Sequence, residues 1–154
     1  VRNYQTCRLL IRKSGYRLER RLERLLADAV YSQECLQVPV YRVCFRDLMD
    51  KKERAYRQPE NFSVNFKRFY ERALAKGYRP CPLEVVPSLV LDNGSEPFWY
   101  RHYIFTVFID DDLKCEYIPL IERRAVNYHQ TQGQVMSHRI LGGWLANEPL
   151  LFVR

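Results

Sequence analysis

The spacing of leucines near the N-terminus is the strongest constraint on how this chain folds. Between Leu18 and Leu26, leucines recur every three or four residues, which places their side chains on one face of an α-helix. We therefore predict a helix over residues 17–30 with an apolar side and an arginine-rich side. Phenylalanines at similar spacing predict a second helix over residues 62–76, which Gly77 is suited to end.

Other stretches are rich in β-branched and aromatic residues, which predicts strands at residues 9–11, 38–45, 99–109 and 150–153. Residues 83–91 are also apolar, but Pro87 removes a hydrogen-bond donor, so that segment is predicted to be an edge strand or a bulged strand. Helical structure is predicted at 122–128 and 135–145. Together these elements predict an α+β fold, a mainly antiparallel sheet with the two amphipathic helices packed on one face. The length of 154 residues predicts a single domain over 1–154.

Positive charge is concentrated in the first half of the chain. The first eighty residues contain nineteen Lys and Arg against nine Asp and Glu, and the remaining seventy-four contain six against nine. The net charge of +7 therefore arises from the N-terminal half. An arginine-rich surface has a polyanion as its default partner, which predicts a nucleic acid, DNA or RNA, as the partner of this chain.

Twelve cations on the outer sides of the two predicted helices and in the loop between them are the predicted phosphate contacts. The function predicted from them is a non-catalytic, nucleic-acid-binding component of a replication, processing or ribonucleoprotein assembly. The twelve residues are Arg17, Arg20, Arg21, Arg24, Lys51, Lys52, Arg54, Arg57, Lys67, Arg68, Arg72 and Lys76.

An acidic protein partner fits the same charges, so a protein–protein adaptor is an alternative. Aromatic residues dominate interface hot spots. The candidate anchors of such an interface are Phe98, Trp99, Tyr100 and Trp144.

The sequence contains no complete catalytic or metal-binding motif. The nearest candidates are His102 on a predicted central strand and Asp110 and Asp112 at its end. Carboxylate oxygens suit Mg²⁺ or Mn²⁺, so these residues define a second alternative, a divergent metal-dependent nuclease. That alternative requires one of these ions, whereas the binding function requires no metal or other cofactor.

The cysteines occur singly, at positions 7, 35, 44, 81 and 115, without a CxxC pair. An odd number without paired spacing is typical of reduced thiols, which predicts an intracellular, reducing compartment of cytoplasmic or nuclear type. No apolar run approaches the roughly 20 residues needed to cross a bilayer, so a membrane partner is not expected.

Several motifs follow one another between residues 18 and 112: the leucine-spaced helix, the stretch VYRVCFR at 40–46, the helix at 62–74 and RHYI at 101–104. This succession resembles the inovirus-type Gp2 replication proteins, which are similar to the YagK/YfjJ family and to the HUH-type initiators of rolling-circle replication. The resemblance implies two metal-binding histidines flanking one residue and a nucleophilic tyrosine, here Tyr128. With Tyr128 added, the second alternative is a divergent metal-dependent nuclease or a rolling-circle-type replication initiator. The sequence departs from this pattern, because Ile104 stands at the second histidine position and Cys44 at an acidic position.

Overall fold

Nine strands and five α-helices make up the described part of the chain. The computed structural model describes residues 4–28, 39–56, 59–92, 100–106, 108–110, 115–127 and 130–154. The helices are α1 (Tyr4–Lys13), α2 (Arg20–Asp28), α3 (Lys51–Ala55), α4 (Phe66–Ala75) and α5 (Val85–Asp92), and a 3₁₀ helix spans Phe45–Leu48. The strands are β1 (Tyr16–Leu18), β2 (Tyr41–Val43), β3 (Ser63–Asn65), β4 (Tyr100–Ile104), β5 (Phe108–Asp110), β6 (Cys115–Asn127), β7 (Gln130–Arg139), β8 (Gly143–Leu145) and β9 (Leu150–Phe152).

Seven of the nine described strands form one mixed sheet in which antiparallel pairing predominates. The order is β1-β7-β6-β4-β9-β2, and β5 also pairs with β6. β1 runs parallel to β7 and β4 runs parallel to β9, whereas the other neighbours are antiparallel. The remaining two strands, β3 and β8, form a small antiparallel sheet. The predicted α+β class with a mainly antiparallel sheet is therefore confirmed.

The central strands of the main sheet are buried on both sides. Successive side chains of a strand point to opposite faces, so Leu151 packs with Ile104 beneath α1, α2 and α5. Its neighbour Phe152 packs on the other side against Phe69 of α4. We call these two sides of the sheet the α2 face and the α4 face.

The structure differs from the prediction in the placement of the two amphipathic helices, which lie on opposite faces. Leu22 and Leu26 of α2 belong to one apolar cluster, whereas Phe66 and Phe69 of α4 belong to the other. Each apolar face would cost about 25 cal/mol per Å² if it were left in water. Because the central strands are apolar on both faces, one helix layer cannot cover both of them.

Several segments adopt a different structure from the predicted one. Residues 9–11 lie within α1 rather than in a strand, and most of 83–91 forms α5. Pro87 is the third residue of α5, where a helix does not use the backbone N–H as a donor. The predicted edge or bulged strand is therefore replaced by a helix that begins just before a proline.

The C-terminal segments predicted as helical are strands. Residues 122–128 fall mostly in β6, and 135–145 are divided between β7 and β8. β6 and β7 pair along almost their whole lengths, from Tyr117 opposite Arg139 to Asn127 opposite Gln130. The hydrogen bonds of this long hairpin outweigh the local helical preference of the charged residues.

The packing of β1 on β7 depends on the absence of a side chain at Gly133. A Cβ added there would lie 2.5–2.9 Å from three ring atoms of Tyr16, whose ring is buried beneath the guanidinium of Arg123. We expect Gly133→Ala to lower the free energy of unfolding by about 1–3 kcal/mol, because the ring must shift within a packed core. Urea denaturation of both proteins measures this difference.

The control for this substitution is Gln132→Ala on the same strand. We expect Gln132→Ala to change the free energy of unfolding by no more than about 0.5 kcal/mol, since the side chain of Gln132 is partly exposed. Equal stabilities of the Gly133→Ala and Gln132→Ala variants would contradict the described contact between Gly133 and Tyr16.

Candidate nucleic-acid interface

The structure divides the predicted phosphate contacts between the two sides of the sheet. The cations of α2 lie on the α2 face, whereas those of α3 and α4 lie on the α4 face, where Glu53 of α3 contacts Arg68 of α4. The described members of this set therefore do not lie on one side of the sheet, as they would if both helices packed on the same face. Arg57 lies outside the described residues.

Glu53 forms ion pairs with two of the cations of α4. Its Oε2 lies 2.8 Å from Nη2 of Arg68, and Nη1 of Arg72 donates a hydrogen bond to its Oε1. Arg72 also donates to the carbonyl of Leu48 at 3.2 Å. Because the hydrogen bond from Arg72 favours the charged carboxylate, the pKa of Glu53 is lowered from its ordinary value. Both arginines therefore hold α3 against α4, which is a structural role that the sequence did not predict for them.

The other predicted contacts on the α4 face are more exposed. Lys67 lies 4.0 Å from Glu71, and Nη2 of Arg54 lies 3.5 Å from the carbonyl oxygen of Asp47. Lys51 and Lys52 are exposed at the start of α3, and Lys76 is exposed just after the end of α4.

On the α2 face, the two carboxylates nearest the α2 cations are bound to internal partners. Glu23 of α2 lies 2.6 Å from Nε of Arg8 in α1. Glu19 accepts hydrogen bonds from the backbone N–H of Ser137 and from its Oγ at 2.8 Å. These carboxylates join α1 and β7 to the α2 segment. Glu19 also lies 3.6 Å from Nη1 of Arg21, which is partly buried.

Four cations are exposed around these two carboxylates, and we call them the α1–α2 surface. Arg12 and Lys13 end α1, and Arg20 and Arg24 lie about one turn apart on α2. Arg12 lies 4.0 Å from Glu23, and no ion pair among the described side chains involves Arg20 or Arg24. This surface therefore carries a local excess of positive charge.

Two further predicted contacts, Arg17 and Arg21, lie outside the α1–α2 surface. Arg17 is exposed on β1, and its side chain lies on the α4 face because the adjacent Tyr16 packs on the α2 face. The guanidinium of Arg21 lies 4.4 Å from the ring centroid of Tyr117, so this partly buried arginine packs α2 against β6.

Sequence reasoning missed Arg12 and Lys13 because it predicted a strand at residues 9–11. The spacing of Arg8 and Arg12, four residues apart, is compatible with one side of a helix. The structure confirms this arrangement, with Ile11 buried on another side of α1. In the structure both arginines approach Glu23 of α2.

Only two of the candidate nuclease residues, His102 and Asp110, lie in the part of the chain that the structure describes, and they are on different strands. His102 lies on β4 opposite Ile121 of β6, and its side chain is on the α2 face with that of Ile104. Asp110 ends β5, whereas Asp112 and Tyr128 lie outside the described residues. Within the described ranges, no group of three or more His, Cys, Asp or Glu residues is placed to hold a metal ion.

Trp144, one of the candidate anchors for an adaptor, belongs to the core. It is 6% exposed, packs between Phe66 and Tyr103, and donates its indole N–H to the carbonyl of Glu148 at 2.8 Å. Of the other candidate anchors, Phe98 and Trp99 lie outside the described residues.

A group of polar residues on β4 and β6 was not predicted from the sequence. The Glu122 side chain, only 8% exposed, lies on the α4 face between Arg101, whose Nε is 3.4 Å away, and Arg124, whose Nε is 3.9 Å away. The sequence analysis missed this group because it predicted a helix at 122–128. In a strand, by contrast, Glu122 and Arg124 share one face.

No protein-family model, curated protein or solved structure matches this chain. The resemblance to the rolling-circle replication proteins therefore stays a prediction. None of the helices within the described ranges has the length and apolar character needed to cross a bilayer.

The bonds made by Glu53 lead to a prediction about stability and pH. Since the pKa of Glu53 is lower in the folded state, its stabilising contribution is present above the ordinary pKa of 4.5 and is lost as the pH falls through the folded-state pKa. We expect Glu53→Gln to be less stable than the wild type at neutral pH, with the difference shrinking on acidification. Urea denaturation of both proteins, from neutral pH down to below the ordinary pKa of Glu53, measures this difference in the free energy of unfolding.

The matched control is Glu71→Gln, because the side chain of Glu71 is 59% exposed and its contact with Lys67 is long. We expect a smaller effect in this variant. A constant difference between Glu53→Gln and the wild type at every pH would contradict the ionic role of Glu53.

Proposed function

We propose that this protein binds the phosphate backbone of nucleic acids through the α1–α2 surface. The observation that supports this proposal is the arrangement of charge around α2: Glu19 and Glu23 are bound to internal partners, while Arg12, Arg20 and Arg24 are exposed beside them. Phosphate binding by such cations releases condensed counterions, which drives association without regard to base sequence.

The proposal favours the α1–α2 surface over the α4 side because of how the carboxylates are used. On α4, Glu53 is bonded to Arg68 and Arg72, so a phosphate would have to compete with a carboxylate for both guanidinium groups. Around Arg20 and Arg24 that competition is absent among the described side chains. The proposed activity is binding, as expected of a component of a replication, processing or ribonucleoprotein assembly.

The test compares two double variants that change the net charge equally. Arg20→Ala with Arg24→Ala removes two cations of the α1–α2 surface, and Lys51→Ala with Lys52→Ala removes two exposed cations of α3. Fluorescence anisotropy with a labelled duplex DNA gives the binding constant between about 50 and 200 mM salt. The slope of log K against log salt counts the phosphate contacts.

We expect the arginine double variant to bind more weakly and to reduce the slope by about 0.9 per lost contact, or about 1.8 in all. The lysine double variant should retain most of the wild-type slope. Equal losses in both variants, or wild-type binding that does not depend on salt, would overturn the proposal.

A further inference from the structure

A row of polar residues crosses four neighbouring strands, β1, β7, β6 and β4, on the α4 face of the main sheet. The pairing places Arg17 of β1 beside Gln134 of β7, Gln134 beside Glu122 of β6, and Glu122 beside Arg101 of β4. Arg124 lies in the next row on the same face, opposite Gln132. We call the six residues Arg17, Arg101, Glu122, Arg124, Gln132 and Gln134 the polar sheet patch.

Glu122 fixes the orientation of two arginines in this patch. The closest approach of each guanidinium to its carboxylate is through Nε, at 3.4 Å for Arg101 and 3.9 Å for Arg124. Nη1 of Arg101 also lies 3.5 Å from the hydroxyl oxygen of Tyr103, and the arginine side chains are 48% and 61% exposed. An arginine held in this way loses less conformational entropy when it binds a phosphate or stacks on a base.

The charge and chemistry of the polar sheet patch complement a nucleic-acid strand. Three arginines face one carboxylate, and that carboxylate is buried between two of them. His138, also on the α4 face, has a pKa lowered by burial and by the nearby Arg101, so it is uncharged at neutral pH. Gln132 and Gln134 supply partly exposed amides, which donate to and accept from base edges.

The width of the patch favours an unpaired strand over a duplex. Four strands spaced about 4.8 Å apart extend over about 14 Å, which exceeds the roughly 12 Å width of the major groove of DNA. The sheet is therefore too wide to enter the major groove of an undeformed duplex and bring the amides to paired bases. An unpaired strand can lie across the sheet, with its phosphates and exposed bases against arginine and glutamine side chains.

We infer that the polar sheet patch binds unpaired nucleotides, so that single-stranded nucleic acid is the preferred ligand of this protein. The inference rests on the proposed function, but it concerns residues on the opposite face of the sheet from the α1–α2 surface. The two surfaces have different tasks: the α1–α2 surface contacts phosphates of any nucleic acid, and the polar sheet patch distinguishes unpaired from paired strands.

The experiment measures the ratio of single-strand to duplex affinity for matched variants. Arg17→Ala with Arg124→Ala removes two arginines from the patch and leaves Arg101 to neutralise Glu122. Arg20→Ala with Arg24→Ala removes two arginines from the α1–α2 surface. The probes are a labelled single strand of mixed sequence and the duplex formed with its complement, and circular dichroism checks that each variant is folded.

We expect the patch variant to lose about tenfold more affinity for the single strand than for the duplex, as expected for lost stacking and phosphate contacts. The α1–α2 variant should lose affinity for the duplex and should not lower the ratio of single-strand to duplex affinity. Gln134→Ala is the uncharged second variant, for which we expect a smaller fall in the ratio with an unchanged salt slope.

Two results overturn the inference. If the ratio stays at the wild-type value in both patch variants while the α1–α2 variant still weakens binding, the patch does not select unpaired strands and the proposed function stands. If the wild type binds neither probe, the proposed function and the inference fail together.

Discussion

The burial of the central strands on both faces is the constraint on which the rest of the structure depends. In β9, consecutive residues are almost entirely buried, with Leu151 in one apolar cluster and Phe152 in the other. Two apolar faces require two separate helix layers, because exposed apolar area is costly. This requirement places α2 and α4 on opposite sides of the sheet, and it divides a cationic segment that is nearly continuous in the sequence into two surfaces.

The positions of a few carboxylates then decide which cations are accessible to a ligand. Glu53 holds Arg68 and Arg72 between α3 and α4, so positive charge on that side contributes to packing. Glu19 and Glu23 are instead bound to Ser137 and Arg8, and Arg20 and Arg24 of α2 are exposed beside them. Glu122 is a third case, because it orients two arginines without covering them. The partners of each glutamate thus decide the role of the arginines around it. Arg68 and Arg72 contribute to packing, Arg20 and Arg24 are exposed, and Arg101 and Arg124 are held in the polar sheet patch.

Strong side-chain periodicity was predictive, whereas short apolar runs predicted a strand correctly at 150–153 and wrongly at 9–11 and 83–91. The leucine stripe of α2 and the phenylalanine stripe of α4 predicted both helices, although each begins later than predicted because β1 and β3 precede them. The apolar patterns of residues 9–11 and 83–91 fit a strand or a buried helix equally well. In the structure both segments are helical and pack into the apolar cluster on the α2 face. Glu122 and Arg124 were assigned to a helix because nothing local shows that β7 pairs alongside them.

The α+β class, the two amphipathic helices and the excess of cations in the first half of the chain could be predicted without coordinates, because each depends on composition or on local spacing. The folded chain was needed to show that the two helices lie on opposite faces, that Arg72 is bound to Glu53 while Arg20 is exposed, and that Arg17 shares a row with Arg101. Ion pairs and strand register join residues far apart in the chain, and such contacts leave no periodic signal in the sequence.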